Sequence, residues 1–240
     1  MGPILALVAM VAPSSEPLIT DYTQSGLRDL SFTAKVLSAK QAELKKINQD
    51  FSVSYRFSSS NVWLKEPMML RMESVVDDTK IFYIVNGSKR LVSVPRTGLR
   101  QREDLSKAPG KRQTPLDFGL LTPSLFKGLF QAKYIRTETR GDLKGCLVFD
   151  LTYLPSLDDT SRNRVWVDPQ RKYTPKREWY TQLGGYLLAT FTYSDVKSVG
   201  GVYVPQKVSV NNSEGKFAGS TAYQNVKVNT GLAASLFDAS

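Results

Sequence analysis

Few side chains of this sequence have the type and spacing that catalysis requires. Histidine is absent, which removes the commonest general base and the commonest metal ligand. The paired carboxylates Asp77-Asp78 and Asp158-Asp159 lie in polar stretches typical of turns, which favours a turn role over acid–base catalysis. The sequence contains no Gly-x-Ser-x-Gly elbow and no glycine-rich phosphate loop. We therefore predict that the protein is not an enzyme and holds no metal or cofactor.

The single cysteine is expected to be structural. Cys146 excludes an internal disulfide and lies in an apolar run, residues 145–153, that predicts a buried strand. A thiol in such a strand packs as a small apolar side chain and is a poor nucleophile. Gly184-Gly185 stands between two predicted strands, where a turn needs glycine.

Apolar side chains that alternate along predicted strands are better candidates for a function. Residues 51–57 predict a regular strand, because large apolar residues alternate there with Ser and Arg. Four large side chains on one face indicate that this face is covered. They are Phe51, Val53, Tyr55 and Phe57.

A second stripe contains methionine. Met68, Leu70 and Met72 alternate beyond Pro67, which marks a bulge or a sheet edge. Methionine packs adaptably, so the stripe suits a surface that accepts variable apolar shapes. Ordinary core packing is the alternative interpretation.

Two short helices are predicted over residues 114–131. Each begins with Thr-Pro, an N-cap followed by proline at the first helical position. The second helix has one wide apolar face that must be buried against a sheet. That face consists of Leu125, Phe126, Leu129 and Phe130.

The C-terminal third predicts consecutive antiparallel strands, because short turns cannot carry a parallel crossover. In the last strand Ala222, Gln224 and Val226 are expected on one face and Tyr223 on the other. The predicted strands are residues 164–168, 175–180, 186–193, 202–210 and 219–228.

Further strands are predicted upstream. Residues 30–36 alternate with Phe32 on the apolar side, and a hairpin is expected around Asn86-Gly87. Residues 133–139 and 145–153 are also predicted strands, and residues 229–237 a final helical turn.

The positive charge of the sequence indicates which classes of partner the protein could bind. The net charge is +10, and the basic stretch Arg96 to Arg112 lies within twenty residues, 95–114, for which no structure is predicted. Such a loop is either simply solvated or contacts anionic lipid headgroups or an acidic patch of a partner. No RNA-recognition motif is present, so nucleic acid is not an expected partner.

The N-terminus suggests export. Residues 3–12 are an uncharged run that ends in small residues and is too short to span a bilayer as a helix. We predict a signal peptide over residues 1–12 and one domain over residues 13–240, located in the periplasm or secreted. A disordered apolar tail is the alternative.

The order of these features resembles the periplasmic lipoprotein-carrier (LolA-type) family and the wider superfamily of outer-membrane lipoprotein-sorting proteins. The similarity covers about residues 30–237 and is most specific in residues 62–73, Val-Trp-Leu-Lys-Glu-Pro followed by an apolar strand. Residues 195–197, 200–207 and 225–237 are also similar.

The resemblance implies a mainly β (α+β) fold. An incomplete antiparallel barrel, a curved sheet, would wrap around a few short helices that act as a lid. Leu70 and Met72 match inward-facing cavity positions, and the helices of residues 114–131 would belong to the lid. Glu66 stands where the family has an arginine that holds the lid closed.

The predicted function is a non-enzymatic periplasmic carrier, a monomer that binds acyl chains of a lipoprotein or lipid for transport towards the outer membrane. The family implies an inner-membrane release complex and an outer-membrane acceptor as partners. The alternatives are an envelope-stress sensor of the RseB type and a secreted interaction module without a ligand. The predicted cavity residues are Phe32, Val53, Tyr55, Phe57, Met68, Leu70, Met72, Leu125, Phe126, Leu129 and Phe130.

Overall fold

One large antiparallel sheet forms the framework of the protein. The computed structural model describes residues 16–182 and 185–239, so the predicted signal peptide and part of the Gly184-Gly185 turn lie outside the described residues. The strands are β1 (Asp29–Ala39), β2 (Ser59–Lys65), β3 (Met69–Val76), β4 (Thr79–Asn86), β5 (Lys89–Val94), β6 (Leu99–Asp104), β7 (Phe130–Arg140), β8 (Leu143–Tyr153), β9 (Arg162–Val167), β10 (Lys176–Tyr180), β11 (Leu187–Ser194), β12 (Lys197–Val199), β13 (Val202–Val204), β14 (Lys207–Asn212) and β15 (Phe217–Val228).

Thirteen of these strands follow the order β6-β5-β4-β3-β2-β1-β15-β14-β11-β10-β9-β8-β7, and β12 and β13 form a separate ribbon. The sheet therefore consists of two meanders joined where β1 pairs with β15. It is curved but not closed into a barrel, which confirms the predicted half-barrel. Its two edges are β6 and β7, which residues 105–129 connect along the chain.

Short helices complete the fold. No helix among the described residues is long and apolar enough to cross a membrane. The α-helices are α1 (Gln41–Ile47), α2 (Gln49–Ser54) and α3 (Pro123–Gly128), and the 3-10 helices are Ile19–Tyr22, Pro95–Thr97, Pro109–Lys111, Pro115–Phe118, Pro155–Leu157 and Ala234–Phe237.

The predicted hairpin around Asn86-Gly87 is confirmed. Strands β4 and β5 pair in register from Phe82 opposite Ser93 to Asn86 opposite Lys89. Gly87 adopts a left-handed φ of 60°, which glycine reaches without the steric cost of a Cβ.

The predicted strand over residues 51–57 is wrong, because most of this stretch is helix α2. The Asn48 side chain caps the helix by accepting a hydrogen bond from the Phe51 N–H at 2.6 Å. Phe51 and Tyr55 stand one helical turn apart with ring centroids 5.4 Å from each other. Val53 therefore points away from them and is 38% exposed. Apolar residues at every second position also include pairs with the i, i+4 spacing of a helix, so the pattern fits both a strand and a helix. The Asn48 cap favours the helix.

The second predicted helix is also too long. Helix α3 ends at Gly128, and Phe130 begins β7, where it pairs with Tyr153. The two rings pack against each other with centroids 4.6 Å apart and planes tilted by 36°. Leu129 and Phe130 thus keep apolar neighbours but do not share a helical face with Leu125.

Residues 95–114 are structured, contrary to prediction. They contain β6, which pairs with β5 and forms one edge of the sheet. Nearly all of its residues are exposed, so it lacks the apolar alternation by which a strand is recognised. Its charged residues are typical of an edge strand that is protected from pairing with another chain.

Two details of the C-terminal meander differ from prediction. The strand expected over residues 202–210 is divided into β13 and β14 around Pro205, which has no N–H to donate to a ladder. In β15 a bulge at Asn225, φ 56°, shifts the register, so Tyr223 and Val226 pack against the same apolar cluster. The predicted alternation therefore fails beyond Asn225.

Asp29 fastens the C-terminal segment to the start of β1. Its buried carboxylate accepts hydrogen bonds from the N–H groups of Thr230 at 2.7 Å, Gly231 at 3.0 Å and Leu232 at 3.3 Å. Beyond them, the predicted final helical turn is confirmed as the 3-10 helix Ala234–Phe237, whose Phe237 is fully buried. Burial opposes ionisation of Asp29, but the hydrogen bonds from Thr230, Gly231 and Leu232 outweigh it and lower its pKa.

This lowered pKa predicts a pH dependence. The stabilisation that Asp29 contributes is present above its ordinary pKa of 3.8 and is lost as pH falls through the lower pKa of the folded state. In Asp29→Asn, denaturant unfolding should show a lower stability at neutral pH and a smaller loss below pH 3.8 than in the wild type. Equal losses in both proteins would contradict this role.

Candidate apolar binding site

Two clusters of buried apolar side chains cover the inner face of the half-barrel, the face on which the helices lie. The first cluster draws on β1 to β4, β11, β14 and β15, and the second on β7 to β9. Central members of the first are Leu30, Phe32, Leu70, Phe191, Tyr193 and Val210, and of the second Leu116, Leu125, Leu129, Phe130, Phe149 and Val165.

The 3-10 helix Pro115–Phe118 lies between the clusters. Leu116 packs into the second cluster and Phe118 into the first. Thr114 and Asp117 form a reciprocal capping box, in which the Thr114 N–H donates to Asp117 Oδ2 at 2.8 Å. We call this 3-10 helix and α3 together the cover.

A buried ion pair attaches the cover to the sheet. Arg177 of β10 is only 7% exposed, and its Nη1 lies 2.9 Å from Asp117 Oδ1. Its guanidinium also stacks over the Phe191 ring, 4.2 Å from the centroid. Burial opposes the charge of Arg177, but the pKa is raised on balance, with the Asp117 carboxylate 2.9 Å away favouring the charged form. The guanidinium therefore stays charged and requires this partner.

Tyr193 makes a second contact with the cover. Its hydroxyl lies within hydrogen-bond distance of the carbonyl oxygens of Leu116, at 3.3 Å, and Asp117, at 3.2 Å. Its ring packs so closely against Gly119 that a Cβ there would lie 2.7 Å from a ring carbon. Burial raises the pKa of Tyr193, so its hydroxyl remains a donor at neutral pH.

Helix α3 is held from the opposite side by Glu66. The Ser124 hydroxyl donates to Glu66 Oε1 at 3.0 Å and lies 3.2 Å from the Thr122 hydroxyl. Glu66 belongs to the turn between β2 and β3, and Met68 of the same turn packs against the second cluster. The resemblance implies an arginine at the position of Glu66. In this protein the residue at that position also contacts the cover, but its carboxylate accepts the hydrogen bond from Ser124.

Residues 105–113, the bridging segment, cross from β6 to the C-terminal half of the sheet. Lys107 Nζ donates to the Ser156 carbonyl at 3.1 Å, and the Gly110 N–H donates to Asp159 Oδ2 at 3.2 Å. On the other side the Tyr83 hydroxyl donates to the Lys111 carbonyl at 3.3 Å. All three contacts are solvent-exposed, and the segment is also anchored by Leu105, whose side chain is buried and whose N–H donates to the Ser88 carbonyl at 2.8 Å.

A cleft of about 340 Å³ opens between the bridging segment and the β10–β11 hairpin. Its apolar wall includes Trp179, which also packs against the first cluster. The described residues that line it are Lys107, Ala108, Gly110, Lys111, Asp159, Ser161, Trp179, Tyr180, Thr181, Gln182 and Leu188.

The structure separates the predicted cavity residues. Val53 is exposed, and Phe57, beyond the end of α2, is half-buried. With the first cluster lie Phe32, Tyr55, Leu70 and Met72, and with the second Met68, Leu125, Phe126, Leu129 and Phe130.

None of these eleven residues lines the cleft. Sequence reasoning missed Trp179 and Leu188 as site residues, although both lie in stretches predicted to be strands. Trp179 follows Arg177 by two positions in β10 and lies on the same face of the strand, but no local pattern in this charged stretch indicated that the face is the inner one. Its proximity to the bridging segment depends on the curvature of the whole sheet, which local patterns do not encode.

An open, curved antiparallel sheet with an apolar inner face and short covering helices is the LolA-type half-barrel, and the chain has this fold. It is similar to a LolA superfamily protein of Nitrosomonas europaea, with 16% identity, a TM-score of 0.61, and 92% of this chain and 94% of that chain covered. A DUF1329 family protein of Desulfovibrio piger matches with 13% identity, a TM-score of 0.57 and 92% of each chain covered.

A putative outer membrane lipoprotein-sorting protein domain of Vibrio parahaemolyticus matches with 13% identity, a TM-score of 0.56, and 92% of this chain and 93% of that chain covered. A sequence-family model described as "Uncharacterized protein" matches residues 122–240. No curated protein matches the sequence. At these identities the similarity establishes the fold.

The buried ion pair predicts an asymmetric response to mutation. Asp117→Ala leaves the Arg177 charge buried without its partner and should cost about 3–5 kcal/mol of unfolding free energy. Arg177→Met should cost less, because the Asp117 side chain is 29% exposed and can be solvated when alone. Denaturant curves of both variants measure the difference. An equal or larger loss in Arg177→Met would contradict the proposed attachment of the cover.

Proposed function

We propose that the protein is a non-enzymatic periplasmic carrier that binds the acyl chains of a lipoprotein or lipid between the half-barrel and its cover. The observation that carries the proposal is the cleft beside Trp179, whose side chain also packs against the first cluster on the apolar inner face. The similarity to a putative outer membrane lipoprotein-sorting domain supports the same role.

The surface of the first cluster is suited to an apolar ligand. Partly buried aromatic and methionine side chains pack against the first cluster there, and such side chains adapt to variable shapes. They still carry accessible surface, whereas Leu70, on the same strand as Met72, is 1% exposed. The side chains are Phe51, Tyr55, Met72, Tyr83 and Trp179.

Binding of a chain beneath the cover requires the cover to be displaced, and its helices are short. The 3-10 helix has four residues and α3 has six, too few to be stable without packing against the sheet. Side-chain attachments are the Arg177–Asp117 pair, the Tyr193 hydroxyl and the Glu66–Ser124 hydrogen bond. Between the two helices, the Gly119 and Leu121 carbonyls accept backbone hydrogen bonds from the N–H groups of Thr174 at 3.0 Å and Gln24 at 2.7 Å. Displacing the cover would widen the space above the first cluster and admit a chain.

The carrier role implies export and exchange of cargo. We propose that residues 1–12 are removed as a signal peptide and that residues 13–240 act as one monomeric domain in the periplasm. Cargo would be received from an inner-membrane release complex and passed to an outer-membrane acceptor. The basic residues of the bridging segment would lie near anionic lipid during this exchange.

Tryptophan quenching by a spin-labelled fatty acid tests the site. Doxyl-hexadecanoic acid should quench part of the wild-type fluorescence, because Trp179 lines the cleft. Trp179→Phe should lose this quenching. Trp63→Phe should retain it, since Trp63 alternates with the buried Val62 and Leu64 and faces the outer side of the sheet.

Mass spectrometry of lipid extracted from the protein of its native host completes this test. A lipid that copurifies with the wild type is the expected result. Absence of quenching in the wild type, together with absence of extracted lipid, would remove the carrier proposal.

A further inference from the structure

The cleft has a basic side and an apolar side, and this division specifies the ligand. We propose that the cleft is a headgroup site for an anionic amphiphile. Lys107 and Lys111 bind its carboxylate or phosphate, while its chain passes Trp179 and Leu188 towards the first cluster. This inference rests on the proposed function and adds the charge of the ligand to it.

The two lysines supply the charge. They lie on one wall of the cleft, on either side of Pro109 in the bridging segment, and both are exposed. None of the ion pairs among the described residues involves either of them. Lys107 donates to the Ser156 carbonyl, and an ammonium has three donors, so two remain for a ligand.

The one carboxylate among the described lining residues does not cancel this charge. Asp159 Oδ2 accepts from the Gly110 N–H at 3.2 Å, and its Oδ1 accepts from the Ser161 N–H at 2.8 Å and the Ser161 hydroxyl at 2.6 Å. Asp159 thus serves to hold the bridging segment against the opposite half of the sheet. With two cations and one carboxylate, the cleft carries a net positive charge that favours an anion.

Apolar groups lead inward from the same place. Trp179 belongs both to the cleft and to the side chains packed on the first cluster. Tyr83 also packs on that cluster, and its hydroxyl reaches the Lys111 carbonyl. A headgroup at the lysines would therefore have apolar side chains of the first cluster next to it, along which its chain could continue.

The volume of the cleft limits what it holds. About 340 Å³ lies at the small end of the roughly 300–1,000 Å³ typical of small-molecule sites. It accommodates a headgroup and the beginning of one chain, and the remainder of the chain requires the space under the cover. The recognition element is therefore the head of a single amphiphile rather than the body of a large cargo.

Competition against doxyl-hexadecanoic acid tests this assignment. Hexadecanoic acid and hexadecyl phosphate should displace the probe from the wild type about ten-fold more strongly than methyl hexadecanoate, the change expected from one charge-assisted contact. Added salt should reduce the difference, because the contact is exposed.

Two double variants, each of which removes two lysine charges, test whether Lys107 and Lys111 cause the preference for the acid over the ester. Lys107→Gln with Lys111→Gln should remove most of the preference for the acid and leave binding of the ester unchanged. Lys133→Gln with Lys144→Gln, on exposed positions of β7 and β8, should behave as the wild type. Lys111→Gln alone keeps the Lys107 contact with Ser156 and should show a partial loss while the segment remains in place.

Each other outcome overturns the inference. Equal binding of acid and ester, or equal losses in both double variants, would refute the headgroup site while the carrier proposal stands. Displacement of the probe by inorganic phosphate as strongly as by hexadecyl phosphate would make the cleft a site for free anions. Failure of every chain to bind would refute both proposals.

Discussion

The arrangement of the interior depends on one buried cation. Arg177 projects from β10 into the inner face, where a guanidinium without a partner would be strongly destabilising. Its charge is paired with Asp117, which lies on the short helix of the cover. This requirement places that helix between the two apolar clusters, with Leu116 on one side and Phe118 on the other.

Local sequence patterns predicted most strands of the fold and failed where two structures fit the same pattern. The Asn86-Gly87 hairpin and the C-terminal meander follow from turn residues and alternation, which act over a few positions. Residues 51–57 satisfy both strand and helix spacing, and the Asn48 cap selects the helix. The bulge at Asn225 reverses the alternation within a strand that the pattern identified correctly. Strand β6 lacked any apolar signal because it is exposed at an edge.

The candidate site was less accessible to sequence reasoning than the fold. Its apolar residues were identified as covered surfaces, but the structure divides them between two clusters. The cleft combines the bridging segment with β10 and β11, which are far apart in the chain. The contact between Glu66 and Ser124 likewise joins two distant segments, the β2–β3 turn and α3, and no local sequence pattern predicts it. Chemistry that arises from distant segments depends on sheet order and curvature, which single stretches do not determine.

The pairing of β1 with β15 has a consequence for how the molecule forms. Leu30 lies opposite Val228, so the joint between the two meanders connects the beginning of the sheet with its end. Each meander consists of contacts between strands that are close in sequence, and these can form early. The joint requires closure of a loop that includes almost the entire chain, which is entropically costly and slow. Until the last strand has been synthesised, β1 has an unpaired edge, and the half-barrel cannot be completed in a chain that lacks its C-terminus.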